Sequence, residues 1–283
     1  MNARGFGLVE LMLSLAIGTL LALAVSAMLV GAHAGYLRHG AGARLDDSGR
    51  QALAMMARAV RQAGYAGAGA PPPWPAAMTG LDASGVAQNS HGIDGPWPAA
   101  VNGSDVLAVR HAGAGAGSGD GSMTDCAGFA IGEGEEGWSI FHVATGADGE
   151  GELRCKYLGG SGWGGDAIVR GVDSLQILYG IDTDDPADGV PNRYLNATQV
   201  TALDAAGGKG WSRVASMRIA LLLHGERHSD PGAPAASHDL FGSGYTAIAG
   251  GRDAGVVIDE KVLPAIQRQR VRRVVGATVF VRN

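Results

Sequence analysis

The sequence predicts an α+β protein in which one long N-terminal helix precedes an antiparallel β-sheet head with long loops. The first observation is a run from Leu11 to Ala32 that contains no charged residue. The second is that later segments, such as 175–181 and 215–223, alternate apolar and polar residues as strands do. A single long helix followed by many strands belongs to the α+β class.

The composition supports many loops and argues against one class of partner. The chain has 283 residues, 47 of them Gly, and a net charge of −5. Excess acid argues against nucleic-acid binding. One basic cluster is the exception, and we interpret it as the solvated face and flank of the last strand: Arg268, Arg270, Arg272 and Arg273.

The uncharged run is long enough to span a membrane as a helix, since about 20 residues suffice. It is too long for a cleaved secretory signal, whose apolar core has about 7–15 residues. A plain single-pass anchor fits the length but leaves Glu10 unexplained. A carboxylate at the edge of such a run is costly in a membrane unless it is solvated or has a partner.

Gly5-Phe6, followed by Glu10 and the apolar run, resembles the class III signal of type IV pilins. The resemblance implies that a prepilin peptidase cleaves after Gly5 and that the new N-terminal Phe6 is N-methylated. It also implies an assembly role for Glu10, whose carboxylate faces the cationic N-terminus of a neighbouring subunit in the filament core. Arg4 fits a short basic leader that keeps the N-terminus cytoplasmic.

The helix is expected to continue beyond the membrane. Leu45, Leu53, Met56 and Val60 recur at helical spacing, so one face is predicted to pack on the head. The glycines between 31 and 42 predict a bend or local melting there. The expected segments are a cleaved leader at 1–5, a transmembrane or filament-core helix at 6–35, an amphipathic helix at 36–65 and a periplasmic β-rich head at 66–283.

Within the head, the hydrophobic patterns predict strands separated by long loops. Residues 66–103 are predicted to be loop, and the glycine cluster at 159–165 is predicted to be a turn. The two alternating segments are expected to be half-buried antiparallel strands. Further strands are predicted at 105–110, 138–144, 152–158 and 271–281.

The chain has two cysteines, Cys126 and Cys155. An even number in an exported chain favours a disulfide, worth about 3–4 kcal/mol for a loop of this length. Two unlinked buried thiols are the alternative.

Asp182, Asp184 and Asp188 supply oxygen ligands of the kind that Ca²⁺ prefers. The spacing departs from an EF-hand loop, so an acidic, solvated hairpin tip is the alternative. We expect no other cofactor. His224 to His228 is interpreted as a surface turn. The sequence has no Gly-x-Ser-x-Gly motif and no other convergent catalytic group, and we therefore expect no enzymatic activity.

Several segments resemble the PilW-type minor pilins: 58–65, Leu153-Arg154-Cys155, 171–176 and 279–283. The resemblance implies a structural role in priming pilus assembly and in the tip complex. The implied partners are other minor pilins, the major pilin and a PilY-type tip adhesin. The implied location is the inner membrane, crossed once with the head in the periplasm, and then the pilus. Two alternatives remain, a J-type pseudopilin of type II secretion and a calcium-dependent membrane-anchored adhesive module.

Overall fold

The computed structural model describes residues 7–67 and 74–281, and it begins with one continuous helix. Helix α1 spans Leu8–Gln62. It ends where Ala63 leaves the helical conformation and Gly64 adopts a φ of 76°, which suits a residue without Cβ. At 1.5 Å per residue its 55 residues extend about 80 Å.

The predicted local melting between residues 31 and 42 is wrong, because every residue of that segment is helical. A glycine costs a helix about 1 kcal/mol relative to alanine, and the glycines here stand singly among residues such as Ala32, Leu37 and Ala41. Gly42 is also buried, with the Arg273 guanidinium against it. Isolated costs of this size do not interrupt a long helix.

The first sheet has five antiparallel strands in chain order. The prediction of loop throughout 66–103 is wrong for β1, and the predicted glycine turn lies largely within β5. Because glycines have no side chain, the glycine-rich start of β5 shows no alternation of apolar and polar residues that would predict a strand. The strands are β1 (Met78–Leu81), β2 (Val106–Ala112), β3 (Glu136–Thr145), β4 (Gly151–Gly159) and β5 (Gly162–Arg170).

The second sheet has four antiparallel strands in the order β11-β8-β6-β7. A small pair, β9 with β10, lies in the segment before the last strand, together with a short helix. The bounds are β6 (Val172–Ile181), β7 (Arg193–Leu195), α2 (Ala197–Ala205), β8 (Val214–His224), β9 (Ser237–Asp239), α3 (Ser243–Ala249), β10 (Val257–Asp259) and β11 (Arg272–Phe280).

The prediction that the two alternating strands are half-buried is wrong. All ten residues of β6 are buried, and in β8 only Arg218 is exposed. One face of β8 joins the main core that α1 also enters. The other face packs Ala220 and Leu222 against residues of the 240–263 segment. Both faces of β8 are therefore covered, whereas the sequence pattern predicted that one face would be solvated.

Strand pairing gives the head two distinct ends. The start of β11 pairs with the end of β8, Arg272 opposite His224, and its end pairs with the start of β8, Phe280 opposite Ser216. Helix α1 runs in the same direction as β11, because Gly42 is next to Arg273, and Gly49, further along the helix, is next to Val275, further along the strand. Residues near position 38 of α1 therefore mark one end of the head, and Gly64 marks the other.

Candidate assembly site

The two halves of α1 have opposite surroundings. From Leu8 to Leu37 the large apolar side chains are exposed, with Leu8 at 76% and Val30 at 70%. From Leu45 onward the apolar side chains enter the main core, and Met56 and Val60 are fully buried. Among the described residues, α1 is the helix whose length and composition would let it cross a membrane. Within the described residues, its first half is thus an apolar surface left largely uncovered.

Glu10 lies at the beginning of this exposed half. Its Oε2 accepts a hydrogen bond from the backbone N–H of Gly7 at 3.1 Å, so the carboxylate satisfies one of the free amides at the helix N-terminus. Negative charge at this end also suits the helix dipole. Gly5 and Phe6, the predicted processing residues, lie outside the described residues.

The buried half of α1 is attached to the head at closely packed points. Gly49 and Val275 approach so closely that a Cβ at Gly49 would lie 2.6 Å from Cγ2 of the valine. Arg38 Nε and Asp230 Oδ1, at 2.6 Å, form the closer of two ion pairs that join the helix to the loop after β8; the other is Arg44–Glu226 at 3.8 Å. These contacts orient the exposed apolar half relative to the head.

The basic cluster is not a solvated face, as the sequence suggested. Arg270 and Arg272 are buried, and each is held by a carboxylate about a hundred residues away along the chain. Arg270 Nη1 lies 2.8 Å from Glu150 Oε2, and Arg272 Nε lies 2.7 Å from Asp173 Oδ2. Arg272 also contacts Glu260, at 3.1 Å. Only Arg268 and Arg273 of the four are exposed.

The predicted surface turn at His224–His228 is also partly wrong, because His224 is the buried last residue of β8. Its Nδ1 lies 2.9 Å from Arg270 Nη1. Residues 225–228 do form a turn region, and Arg227 Nη2 lies 2.9 Å from Glu150 Oε1. The segment just before the last strand is thereby connected, through Glu150, to the loop that faces α1.

Charge pairing sets the ionisation of the carboxylates in this network. The hydrogen bond from Arg270 lowers the pKa of Glu150 to about 2, with Arg227 adding to the effect. Burial raises the pKa of Glu260, but its bond with His238 and the charge of Arg272 outweigh this, and the pKa falls. Both side chains are therefore anionic over the physiological pH range.

A disulfide joins Cys126 to Cys155, as predicted, with a Cα–Cα distance of 5.8 Å. Both residues belong to the main core. The bond fixes the loop around Cys126 to strand β4 beneath α1, because Cys126 shares a surface cleft with Met55 and Ala59 of the helix.

The three predicted calcium ligands lie together. Carboxylate oxygens of Asp182, Asp184 and Asp188 come within 4.8 Å of one another, with Asp182 buried and the other two exposed. Asp182 already accepts backbone N–H bonds from Asp184 at 2.9 Å and Gly189 at 2.6 Å. These bonds lower the pKa of Asp182 and hold the loop closed between Asp182 and Gly189. Calcium binding stays a prediction.

Sequence reasoning missed a buried lysine. Lys156 is 1% exposed, and its Nζ donates to the carbonyl oxygens of Ala87, Ser90 and Gly92 at 2.7–2.9 Å. Burial lowers the pKa of Lys156 to about 8, against the opposing charge of Asp94. The ammonium thus fastens the loop before β2 to the sheet. In the sequence, a single lysine between two apolar residues gave no signal of this role.

The comparisons with known families agree with this geometry. Residues 1–26 match the family model of the prokaryotic N-terminal methylation motif. Together with the exposed apolar half of α1, this match defines a membrane-anchored protein of the pilin class.

A second family model, described as type IV pilus-assembly protein W, matches residues 140–283, about half of the chain. The chain belongs to this PilW family, and the predicted α+β pilin-like fold is confirmed. No curated protein and no solved structure matches the chain significantly.

Proposed function

We propose that this chain is a minor pilin that takes part in priming type IV pilus assembly and in the tip complex. One observation carries the proposal: a single helix, Leu8–Gln62, buries its second half in the head, while its apolar first half stays exposed among the residues that the structure describes. Such a helix suits a subunit that moves from lipid into a bundle of similar helices. The role is structural, which agrees with membership of a pilus-assembly family.

Before assembly, the helix would cross the inner membrane once with the head in the periplasm, and afterwards the chain would belong to the pilus. We propose a leader at 1–5, a membrane and filament-core segment at 6–35, an amphipathic segment at 36–65 whose helix ends at Gln62, and a head at 66–283. Prepilin peptidase would process the chain. Other minor pilins, the major pilin and a PilY-type adhesin would be its partners.

Glu10 would guide entry into the filament. In the helix alone, its carboxylate is satisfied by the Gly7 amide and lies at the end of an exposed apolar surface. Cleavage after Gly5 places a cationic amine one residue before that amide. In a helix bundle of low dielectric, a carboxylate facing a neighbour's amine is strongly favoured, and an unpaired one is strongly penalised.

The test compares Glu10→Ala with a matched control, Ser14→Ala, in the same exposed segment. We expect both variants to reach the mature mass, because cleavage after Gly5 does not need the carboxylate. We expect only Glu10→Ala to be lost from sheared pili. Immunoblots that compare the amount of the chain in sheared pili with the amount in the membrane fraction measure this loss. Normal recovery of Glu10→Ala in pili would refute the charge-pairing role.

Processing is tested separately by Gly5→Ala. We expect the unprocessed mass to persist in membranes, measured by intact-protein mass spectrometry. The wild-type chain should begin at N-methylated Phe6. A mature-size product from Gly5→Ala would contradict the proposed cleavage site.

A J-type pseudopilin of type II secretion would have the same arrangement of a long helix and a head. Recovery of the chain in sheared pili would support the pilus role over this alternative. The calcium-dependent adhesive module has one observation in its favour, the approach of three Asp carboxylates at one loop. It would act in addition to assembly, since it uses the opposite end of the head from the membrane segment.

A further inference from the structure

The head has a membrane-proximal end, which we define as the loops 225–231 and 260–270. The first loop contacts α1 through the pair between Arg38 and Asp230. The second is joined to the first, because the Asp230 N–H donates to the Gln269 carbonyl oxygen at 3.1 Å. The first loop therefore lies beside α1 at the level of residue 38, and the second adjoins it at the same end of the head, with Leu263 packed on the sheet face away from α1.

Helix length places this end at the bilayer surface. The stretch from Leu11 to Leu37, which contains no Asp, Glu, Lys or Arg, measures about 40 Å at 1.5 Å per residue, whereas the hydrocarbon core is about 30 Å thick. When Glu10 lies at one interface, the residues just before Arg38 lie among the headgroups on the other side. The loop beside Arg38 and the second loop joined to it, at the same end of the head, then face the same headgroup layer.

The 260–270 loop has the chemistry of an interfacial segment. Val262 is 80% exposed and Ile266 is 56% exposed, although nearby Leu263 is buried and anchors the loop. Lys261 and Arg268 are exposed next to them. Exposed aliphatic groups beside cationic ones are typical of segments that rest on anionic lipid.

This loop is held in one shape by its own arginine. Arg268 donates to the carbonyl oxygens of Leu263 at 2.8 Å and Lys261 at 2.7 Å. Those bonds leave the positive charge in place, since carbonyl groups do not neutralise it. Within the described residues, neither Lys261 nor Arg268 has a carboxylate within 4.0 Å.

The surrounding charges favour an anionic surface. Arg44 adds further positive charge at this end, with only a long contact of 3.8 Å to Glu226, whereas Arg227 is paired with Glu150 at 2.9 Å. The nearby acids Glu150, Asp230 and Glu260 are engaged by arginines. Asp148 and Glu226 are the exposed carboxylates of the adjoining described loops, and the half-buried Asp259 accepts the backbone N–H of Lys261 at 2.9 Å.

We propose that Val262 and Ile266, with Lys261 and Arg268, dock the head on the anionic phospholipid surface of the membrane before assembly. The inference depends on the membrane-anchored state and not on any role in priming or at the tip. The docked loop would hold the head in a defined orientation on the membrane, and extraction of the helix would break the contact.

The test uses the full-length chain with its disulfide intact, reconstituted in vesicles. An Ala265→Cys variant carries a bimane fluorophore between the two exposed aliphatic residues, and quenching by lipids with spin-labelled headgroups reports docking. The vesicles contain phosphatidylcholine alone or phosphatidylcholine with phosphatidylglycerol. Because the assay contains no other pilin, its failure is separate from failure of the pilus role.

We expect strong quenching with phosphatidylglycerol and weak quenching without it. A basic residue near an anionic surface contributes about 1 kcal/mol, or roughly a fivefold change in equilibrium constant. Lys261→Gln with Arg268→Gln should therefore weaken docking roughly 25-fold. Val262→Ser with Ile266→Ser is the second variant, which removes the aliphatic groups and leaves the Arg268 bonds intact.

Matched controls lie at the opposite end of the head. Val190 is 57% exposed, nearly the same as Ile266, and Arg193 is exposed beside it. Val190→Ser and Arg193→Gln should leave quenching unchanged. Quenching that does not depend on phosphatidylglycerol, or that is unchanged in both loop variants, would overturn the proposal. An unquenched label on chains that float with phosphatidylglycerol vesicles would overturn it too, leaving this face for a protein partner.

Discussion

Gly49 of α1 and Val275 of β11 meet so closely that a Cβ on the glycine would lie 2.6 Å from Cγ2 of the valine. Gly49→Ala should therefore destabilise the protein despite the better helix propensity of alanine. Overpacking of a core typically costs about 1–3 kcal/mol, more than the roughly 1 kcal/mol gained from propensity. Thermal or urea unfolding of the full-length chain measures the net effect.

Gly40→Ala is the matched control, because a Cβ there meets no atom within 4 Å. It should raise stability by up to about 1 kcal/mol. Adding Val275→Ala to Gly49→Ala should recover part of the loss, as a double-mutant cycle would show. If Gly49→Ala were as stabilising as Gly40→Ala, the close contact would not exist in solution.

Removal of the disulfide should weaken the head considerably. Cys126 and Cys155 are separated by 29 residues, and closing a loop of that size is worth about 3–4 kcal/mol in the chain-entropy model. We expect the Cys126→Ser, Cys155→Ser double variant to show a lower urea midpoint. A reducing agent should lower the wild-type midpoint and leave the double variant unchanged.

Glu150 predicts a pH dependence of stability. Its pKa is about 2 in the folded chain, mainly through the Arg270 hydrogen bond, against an ordinary value of 4.5. A lowered acid pKa stabilises the fold above the unfolded value, and this contribution is lost as the pH falls from 4.5 toward 2. The melting temperature of the wild type should fall more steeply over that window than that of Glu150→Gln.

The loop after β6 gives a prediction that does not involve an ion. Asp182 is buried and holds the N–H groups of Asp184 and Gly189. Asp182→Ala should lower the melting temperature even in the presence of a chelator, because both donors lose their acceptor. Asp188→Ala, which loses one exposed contact to Val190, should have a smaller effect.

The calcium hypothesis needs its own measurement. If the three carboxylates bind Ca²⁺, millimolar calcium should raise the melting temperature of the wild type but not that of Asp184→Asn. Magnesium is the control ion, because it prefers a smaller octahedral site. Equal melting temperatures with calcium and with chelator would remove the hypothesis.

The features predicted from sequence were those with local signals. The apolar run and its carboxylate indicated the exposed half of α1, and alternation indicated β6 and β8. Spacing of Leu45, Leu53 and Met56 indicated the buried helix face. The cysteine count indicated the disulfide, and this prediction needed no knowledge of the residues around either cysteine.

What could not be predicted depends on distant partners. Arg270 bonds Glu150 across 120 residues, and Arg272 bonds Asp173 across 99, so a run of arginines near the C-terminus looked like a solvated face. The Lys156 contacts span 64–69 residues. Strand β5 was missed for a different reason, because its glycines hide the alternation that marks a strand.

The parallel course of α1 and β11 has a mechanical consequence. The exposed half of α1 is where a filament would hold the chain, so tension would enter the head along the helix axis. That axis follows β11, and the load would therefore act in shear across many contacts, including those at Gly42 and Gly49, simultaneously. A helix that crossed the strands would instead be peeled away one contact after another.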